Sequence, residues 1–530
     1  MLIGDALRRS AGNFPDKPAI RDDYGKYFPV GTGYTYRELN ETVNRLGNNL
    51  LALGLNKGDR VAVQTGTGLG HILSLLALAK VGMAIAPIDR TFMSEEIAYQ
   101  IEDSGARAFI TDADIFTKKI EPILDRLKSV DFLIGIGEEN PLDYSFEQMI
   151  TDGSSKDPLI DVAEDDMATL IYTSGTTGKP KGAPLTHRKW TFSATVWAGE
   201  LNIHPYTRSA LLMPLHTSGG TGLTLVSITR GCTLIVTNPD GAKILSIIDK
   251  DKITFTQFSP TLLANVIRHP DAKKTDFSHI ESWFTSAAPI SRELLREGAS
   301  YLGEKFVQLY GTTETALLGT VLRPEEVSVK GPLSKRLTSI GKACLGYQTK
   351  VVDPDDNEVE PGGIGELVIK GEAVSDGYWN RPEADDFRDG RWYSGDMVKV
   401  DEDGFYYVVD RKKDMIVTGG LNVYPREVED VISAHKSVHL VCVIGIPDEK
   451  WGESVKAVVV LKDNAQCTET ELMEFCASRM APYKKPKSVD FIDISKMPMT
   501  GGGYKLLRRE LRDRYREQST KTSGKAWGAV

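Results

Sequence analysis

The sequence predicts an α/β protein with a large N-terminal part of several subdomains and a small α+β C-terminal part. Three observations predict it. Strand-like and helix-like runs alternate between about residues 39 and 310. After about residue 340 the texture changes to strand-length runs separated by acidic, glycine-rich turns. From about residue 411 a second, smaller α/β pattern begins. The length of 530 residues suits about three to five units of roughly 100–200 residues.

Leu39, Val43, Leu46, Leu50 and Leu53 recur at helical spacing, and Gly54 stops that helix. Val61–Thr65 reads as a buried strand, residues 70–80 as a helix and Ala84–Ile88 as a strand. Ser94 caps a helix running to about Ser104, and a strand follows at Arg107–Ile110. Such alternation is the signature of a layered domain. It returns with a strand at Ile253–Phe258, a helix opened by Pro260, a helix capped by Ser291 and a strand at Lys305–Leu309. GELVIKG then alternates with the turns DPDDNEVEPGG and DEDG, giving a β-rich unit before residue 410. A helix at Pro425–Ala434 and strands at Val438–Ile444 and Val455–Leu461 follow. REQSTKTSGKAWGAV loses apolar periodicity and is expected to be a mobile tail. The predicted domains are residues 1–410, 411–515 and the tail 516–530. There is no internal repeat.

Composition is that of a globular protein, 41% hydrophobic and 26% charged, and the net charge of −9 gives no global reason to expect nucleic-acid binding. Cys232, Cys344, Cys442, Cys467 and Cys476 are odd in number and widely spaced, which suits neither a disulfide framework nor a zinc cluster. No signal peptide is read at the N-terminus, and no run of about 18 apolar residues suggests a membrane span. The chain reads as cytoplasmic.

The chemistry concentrates first in LIYTSGTTGKPKG, Leu170–Gly182. The apolar start can end a strand. Thr173, Ser174, Thr176 and Thr177 offer hydroxyl donors, and Gly175 and Gly178 let backbone amides approach an anion. Lys179 and Lys181 add positive charge. The match is to the phosphates of a nucleotide; the alternative is an ordinary polar turn. It is not the GxxxxGK[ST] loop, because Gly175 lies only three residues before Gly178 and Pro180 follows Lys179. Nor is there a GxGxxG turn.

MPLHTSGG, QLYGTTE, WYSGD, DRKKDMIVTGGLNVYPREVE and KLLRREL follow in order along most of the chain. Together with the hydroxyl-glycine loop, this set resembles the adenylate-forming enzymes: acyl-CoA synthetases, amino-acid adenylation domains and beetle luciferases. The resemblance implies that ATP and a carboxylic acid form an acyl-adenylate and pyrophosphate. A thiol then takes the acyl group and releases AMP. It implies roles for ATP, Mg2+ and coenzyme A, with a C-terminal domain that reorients between the two steps about Lys413.

By the same resemblance, the loop Thr173–Lys181 clamps the outer phosphates. Thr313 lies near the α-phosphate, Glu314 holds magnesium and Tyr310 stacks near adenine. Asp396 and Arg411 contact the ribose; a turn cap and a surface ion pair are their alternatives. Gly419 and Gly420 let a pantetheine arm pass close to backbone, against the alternative of a plain β-turn. His216 occupies the acid-gate position, against a structural histidine. Lys505 is assigned to adenylation, although PMTGGGYKLLRREL departs from the family ending: Tyr504–Lys505 stands where a Gly–Lys pair is usual, with one extra residue after Thr500. Lys525, in TSGK, matches locally but lies in the wrong order and is followed by AWGAV. The altered loop implies weak adenylation or a preference for the reverse direction, and it keeps open a weakened ATP-binding regulatory protein.

The resemblance draws the acid pocket from Trp190, Gly219, Ser259, Ser286, Ala287, Ala288, Leu309, Ala316 and Leu317. These small and apolar positions suit an uncharged acyl body. The aspartate that amino-acid adenylation domains carry near His216 is absent, which argues against an α-amino acid. Aromatic, alicyclic and short- or medium-chain acids remain. Coenzyme A is the expected acceptor because no carrier domain is appended; an external carrier-protein thiol is the alternative. A homodimer is a class-level expectation only.

Overall fold

The computed structural model describes residues 1–523 except 138–139, 174–178, 287–289, 449 and 500–505, and of residues 517–523 the backbone alone. The chain divides into two compact units, Met1–Thr349 with Val368–Tyr393, and Lys350–Leu367 with Ser394–Val530.

The first unit holds two large sheets. In the nine-stranded sheet, six strands form a parallel array in the order Phe306–Tyr310, Ser282–Thr285, Phe255–Phe258, Arg208–Leu211, Thr233–Val236 and Pro18–Asp22. Antiparallel strands close both ends. Strands buried on both faces suit a parallel array covered by helices. Because these strands run the same way, residues that follow their carboxyl ends share one edge. His216, Ser259, Ser286 and Gly311 all follow such strands. That edge is where open α/β sheets bind ligands.

The seven-stranded sheet is parallel except for its last strand, Lys181–Thr186, which pairs antiparallel with Met167–Thr173. Thr173 faces Lys181 in this ladder, so the two residues form the stem of the hydroxyl-glycine loop. The helix Leu69–Lys80 beside this sheet is buried along its whole length. Its largely apolar composition, with no polar face, requires that. Of its polar residues, Ser74 donates to Gly70 O at 2.7 Å, and Lys80 reaches Asp157 at 2.9 Å and Asn40 at 2.7 Å. No helix among the described residues is long and apolar enough to cross a membrane.

The second unit carries a sheet in the order Leu421–Val423, Ile416–Thr418, Gly452–Leu461, Val438–Asp448, with Ser488–Phe491 parallel to Gly452–Leu461. Its core is aliphatic, with Ile416, Val428, Ile432, Val443, Ala457 and Leu472 buried. Met499 bridges to Leu506, and Leu507 N–H donates to Pro498 O at 2.9 Å, so the two ends of the Lys505 segment are adjacent. Lys505 itself lies outside the described residues.

Two residues beyond that bridge, Arg508 binds Glu429 through two hydrogen bonds of 2.7 and 2.8 Å. It also meets Asp414 at 3.3 Å and Asp410 at 3.5 Å. Burial opposes the guanidinium charge, but Glu429 and Asp410 outweigh it and raise the pKa. The helix Arg508–Ser523 continues past the expected tail boundary at 516. Residues 524–530, Lys525 included, lie outside the description.

Removing Arg508 would take the shared cation from Glu429, Asp410 and Asp414 in a largely buried cluster, leaving Asp414 with Arg512 at 3.4 Å and Asp410 with the Arg411 and Arg426 N–H groups. Arg508→Met is expected to destabilise the second unit by about 3–5 kcal/mol. Urea unfolding followed in that unit checks this, and an unchanged midpoint would refute the role given to the cluster.

Candidate functional site

The first unit gathers its polar groups around Glu314. The parallel strand Phe306–Tyr310 ends at Tyr310, Gly311 follows, and Thr313–Thr315 form a single tight turn. Gly311 is required by close approach: a Cβ there would lie 2.1 Å from the carbonyl carbon of Leu317. Ala316 and Leu317 then adopt left-handed backbone, with φ of 47° and 70°. Such strain in non-glycine residues costs about 1–3 kcal/mol each and concentrates at functional sites.

Glu314 is 5% exposed. Its Oε1 accepts hydrogen bonds from Tyr378 Oη at 2.8 Å and Thr173 Oγ1 at 3.3 Å, and its carbonyl accepts from Ser375 N at 2.7 Å. Burial first, and then the Glu314 charge, push the Tyr378 phenol well above its ordinary pKa, so it remains a donor. Thr313 Oγ1 lies 3.0 Å from Ser218 Oγ. Ser218 begins the helix Ser218–Arg230, whose N-cap Thr217 accepts from Gly220 N. PLHTSGG and YGTTE, nearly a hundred residues apart, therefore meet through one hydroxyl pair.

Lys181 is ion-paired with Asp386 at 2.7 Å and stands 4.7 Å from the Tyr378 ring. Lys179 stands 4.9 Å from the Tyr99 ring. Ser174, Gly175, Thr176, Thr177 and Gly178 lie outside the described residues. His216 Nε2 is 3.4 Å from Asp89 Oδ2. Burial lowers the His216 pKa and Asp89 opposes this.

Of the expected pocket positions, Trp190 is buried and donates to Thr169 Oγ1 at 2.9 Å. Ser259 is buried as the N-cap of the helix Pro260–Ile267. Ala287 and Ala288 lie outside the described residues.

The second unit brings Asp396 and Arg411 together as cross-strand partners. Arg411 Nε lies 2.6 Å from Asp396 Oδ1, and a terminal guanidinium nitrogen donates to Ser394 O at 3.2 Å. Asp396 is 4% exposed. Next to this pair, Glu366 accepts from Gly395 N and binds Lys412 at 2.8 Å.

Gly419 and Gly420 form the two-residue turn between Ile416–Thr418 and Leu421–Val423, with φ of 58° and 78°. Two left-handed residues are what a type I′ hairpin needs. Trp451 packs so closely on Gly419 that a Cβ there would lie 2.6 Å from its ring, while among the described residues nothing lies within 4 Å of the Cβ position of Gly420.

Tyr378, Ser218, Asp386, Asp89 and Glu366 were not found from the sequence. Each completes a contact with a residue far along the chain. The aromatic hydroxyl in SDGYWN was the one available signal for Tyr378.

Magnesium fits the chemistry around Glu314: a hard carboxylate beside hydroxyls, with phosphate and water oxygens able to fill an octahedron. Among the described residues no group of three or more His, Cys, Asp or Glu side chains could hold a metal alone. A cavity of about 540 Å³ lined by Met1, Arg188, Phe192 and Glu372 shares none of its lining with the expected site residues.

Comparison with known proteins gives one consistent answer. The AMP-binding enzyme family matches residues 7–379, and the AMP-binding enzyme C-terminal domain matches residues 427–503. A feruloyl-CoA synthase from an Amycolatopsis species is 35% identical over 491 residues, covering 92% of this chain and 94% of its own. The long-chain-fatty-acid–CoA ligase FadD13 of Mycobacterium tuberculosis is 32% identical over 484 residues, covering 91% and 93%. The crystal structure of ATP-bound MatB from Rhodopseudomonas palustris superposes with a TM-score of 0.86 at 28% identity, covering 98% of this chain and 100% of that one.

Tyr378→Phe keeps the ring contacts and removes one donor from a buried carboxylate. It is expected to lower first-unit stability by about 1–3 kcal/mol in denaturant titration, against no change if Glu314 does not depend on it.

Burial, with a smaller effect of His216, holds His71 at about 3; burial holds His187 at about 4. Both lie below the ordinary value of about 6.5, so the unfolded chain takes up protons first as pH falls. Stability is therefore full above about pH 6.5 and declines toward about pH 3, by up to about 1.4 kcal/mol per pH unit for each histidine. His71→Asn is expected to reduce that slope by about one proton; an unchanged slope would contradict the assignment.

Proposed function

This chain belongs to the AMP-binding enzyme family, and we propose that it is an AMP-forming carboxylic acid:CoA ligase acting on an aromatic, alicyclic or short- to medium-chain acid. The observation that carries the reading is the convergence of Thr173 and Tyr378 on Glu314, with Ser218 on Thr313 beside it, at the carboxyl edge of a parallel sheet. The named relatives are CoA synthases and ligases for acids of quite different length, so they support the reaction class more than any one acid.

Direct thioester formation from a carboxylate has a poor leaving group, and adenylation supplies a better one. The carboxylate oxygen attacks the α-phosphorus and pyrophosphate leaves. The CoA sulfur then attacks the acyl carbonyl and AMP leaves. The chain's task is to manage charge and position in both steps. Thr173 to Lys181 hold the outer phosphates, and Lys181 exchanges Asp386 for them. Thr313 donates to the α-phosphate from a rotamer fixed by Ser218. Glu314 would hold magnesium, whose charge offsets that of the phosphates. Tyr310 lies against adenine.

Asp396 accepts the ribose hydroxyls, and Arg411, paired with it at 2.6 Å, orients its carboxylate. Lys505 stabilises the carboxylate and α-phosphate oxygens during adenylation, and the C-terminal domain reorients about Lys413 for thioester formation. The Gly419–Gly420 turn, covered by Trp451 at Gly419 and open at Gly420, then offers backbone to the pantetheine arm. His216 closes the acid site beside Asp89. No protein thiol is needed: burial pushes Cys232, Cys344 and Cys442 up to about 12.

AMP and pyrophosphate should accumulate only when acid, ATP, magnesium and CoA are all present. Acetate, hexanoate, decanoate, benzoate and cyclohexanecarboxylate form a sufficient first panel. ATP binding without acid-dependent product from a wider panel would favour the regulatory alternative that the altered Lys505 loop keeps open.

Asp396→Ala should raise the KM for ATP about tenfold or more, from loss of charge-assisted hydrogen bonds. Lys505→Ala should slow adenylation about a hundredfold or more while sparing thioester formation from preformed acyl-adenylate. Equal losses in both half-reactions would contradict the assignment of Lys505.

A further inference from the structure

We propose that Tyr99 is a positioning residue for the outer phosphates of ATP: its hydroxyl pins the returning arm of the hydroxyl-glycine loop at Pro180, and its ring holds the ammonium of Lys179 beside that arm. This rests on the reading of Thr173–Lys181 as the phosphate clamp given above. Tyr99 lies in the helix Ser94–Ser104, which joins the strands Ala84–Pro87 and Ala108–Asp112 of the seven-stranded sheet. The ladder of the loop's stem ends at Thr173 and Lys181, so Pro180 and Lys179 lie beyond its last rung. Tyr99 Oη donates to Pro180 O at 2.8 Å. A terminal guanidinium nitrogen of Arg381 donates to Tyr99 Oη at 3.2 Å. A guanidinium has no acceptor to offer, so the tyrosine oxygen accepts there and its one proton is left for Pro180.

Arg381 is itself fixed. It donates to Asp103 Oδ1 at 2.8 Å, and Asp103 Oδ2 accepts from Tyr172 Oη at 2.8 Å. The Asp103 carbonyl accepts from Trp379 Nε1 at 3.0 Å and Asn380 Nδ2 at 3.1 Å. The stretch Tyr378–Arg381 therefore serves Glu314 through Tyr378 and the loop's arm through Arg381. Pro180 adds a local restraint, because it confines Lys179 to extended backbone. Lys179 Nζ stands 4.9 Å from the centre of the Tyr99 ring, and among the described residues it has no ion pair or hydrogen bond. Lys181, by contrast, is neutralised by Asp386. A ring face attracts an ammonium without discharging it, so Lys179 is held in place and keeps donors for phosphate oxygens. A cation already held loses less freedom when the phosphates arrive.

The test compares ATP with AMP, which lacks the outer phosphates. Each is titrated calorimetrically into the full chain with magnesium and without acid. Tyr99→Phe keeps the ring and removes the hydrogen bond, whereas Tyr99→Leu removes both. The Kd for ATP should rise about threefold in Tyr99→Phe and about tenfold in Tyr99→Leu, while that for AMP stays within about twofold. The ring acts through Lys179. Tyr99→Leu combined with Lys179→Ala should therefore weaken ATP binding by less than the product of the two single losses.

Equal weakening of ATP and AMP would make Tyr99 merely structural and overturn the proposal. So would an ATP affinity that is unchanged or raised in Tyr99→Leu, or single losses that multiply in the double variant. If Tyr99→Leu does not fold, the ratio of ATP to AMP affinity in Tyr99→Phe decides the matter. The two readings fail separately. ATP-selective weakening with no acid-dependent pyrophosphate from the wild-type protein removes the ligase reading and leaves Tyr99 standing. Turnover by the Tyr99→Leu protein with an unchanged KM for ATP removes Tyr99 alone.

Discussion

The carboxylate of Glu314 is the constraint on which the first unit's site depends. A buried negative charge must be hydrogen-bonded or it destabilises the fold. Here the donors come from two distant segments: Thr173 at the stem of the hydroxyl-glycine hairpin, and Tyr378 from the stretch after the strand Ile364–Gly371. Satisfying one carboxylate therefore fixes the hairpin, the YGTTE turn and the SDGYWN segment in mutual register. Ser218 and Thr313 add the helix behind His216 to the same assembly. The strained turn at Ala316–Leu317 is held in place by this surrounding structure.

The second unit solves a similar problem with the opposite sign. Arg508 is a largely buried cation that needs carboxylates, and Glu429, Asp414 and Asp410 provide them. Asp410 and Asp414 bracket Lys412 and Lys413 in sequence, while Arg508 follows Lys505 by three residues. The chain thus ties the segment proposed as a hinge to the segment proposed to carry the adenylation lysine. Asp410 also accepts from Arg426 N at 2.7 Å, at the start of the helix Pro425–Ser433.

Much of the fold was legible because local chemistry set it. The helix expected from Ser94 runs from Ser94 to Ser104, with Met93 rather than Ser94 at the N-cap, and the helix opened by Pro425 runs to Ser433. The strand expected at Val61–Thr65 is Arg60–Gln64. The hydroxyl-glycine loop was legible through its density of small, polar and cationic residues, and its stem sits on two paired strands. The helix beyond residue 516 was missed because residues 517–523 carry no apolar residue to mark a buried face. Tyr378 and Asp89 were missed for another reason. Their neighbours in sequence carry no sign of partners 64 and 127 residues away. Only the folded sheet edges bring them to Glu314 and His216.

The most direct test of the central claim follows the acid's own oxygen. An accepted acid labelled with oxygen-18 in its carboxylate is incubated with ATP, magnesium and CoA, and the products are weighed by mass spectrometry. Attack on the α-phosphorus followed by thiolysis leaves one labelled oxygen in AMP and none in pyrophosphate, and that is the result the account predicts. Label appearing in inorganic phosphate alongside ADP, or acyl-CoA formed with unlabelled AMP, would contradict it.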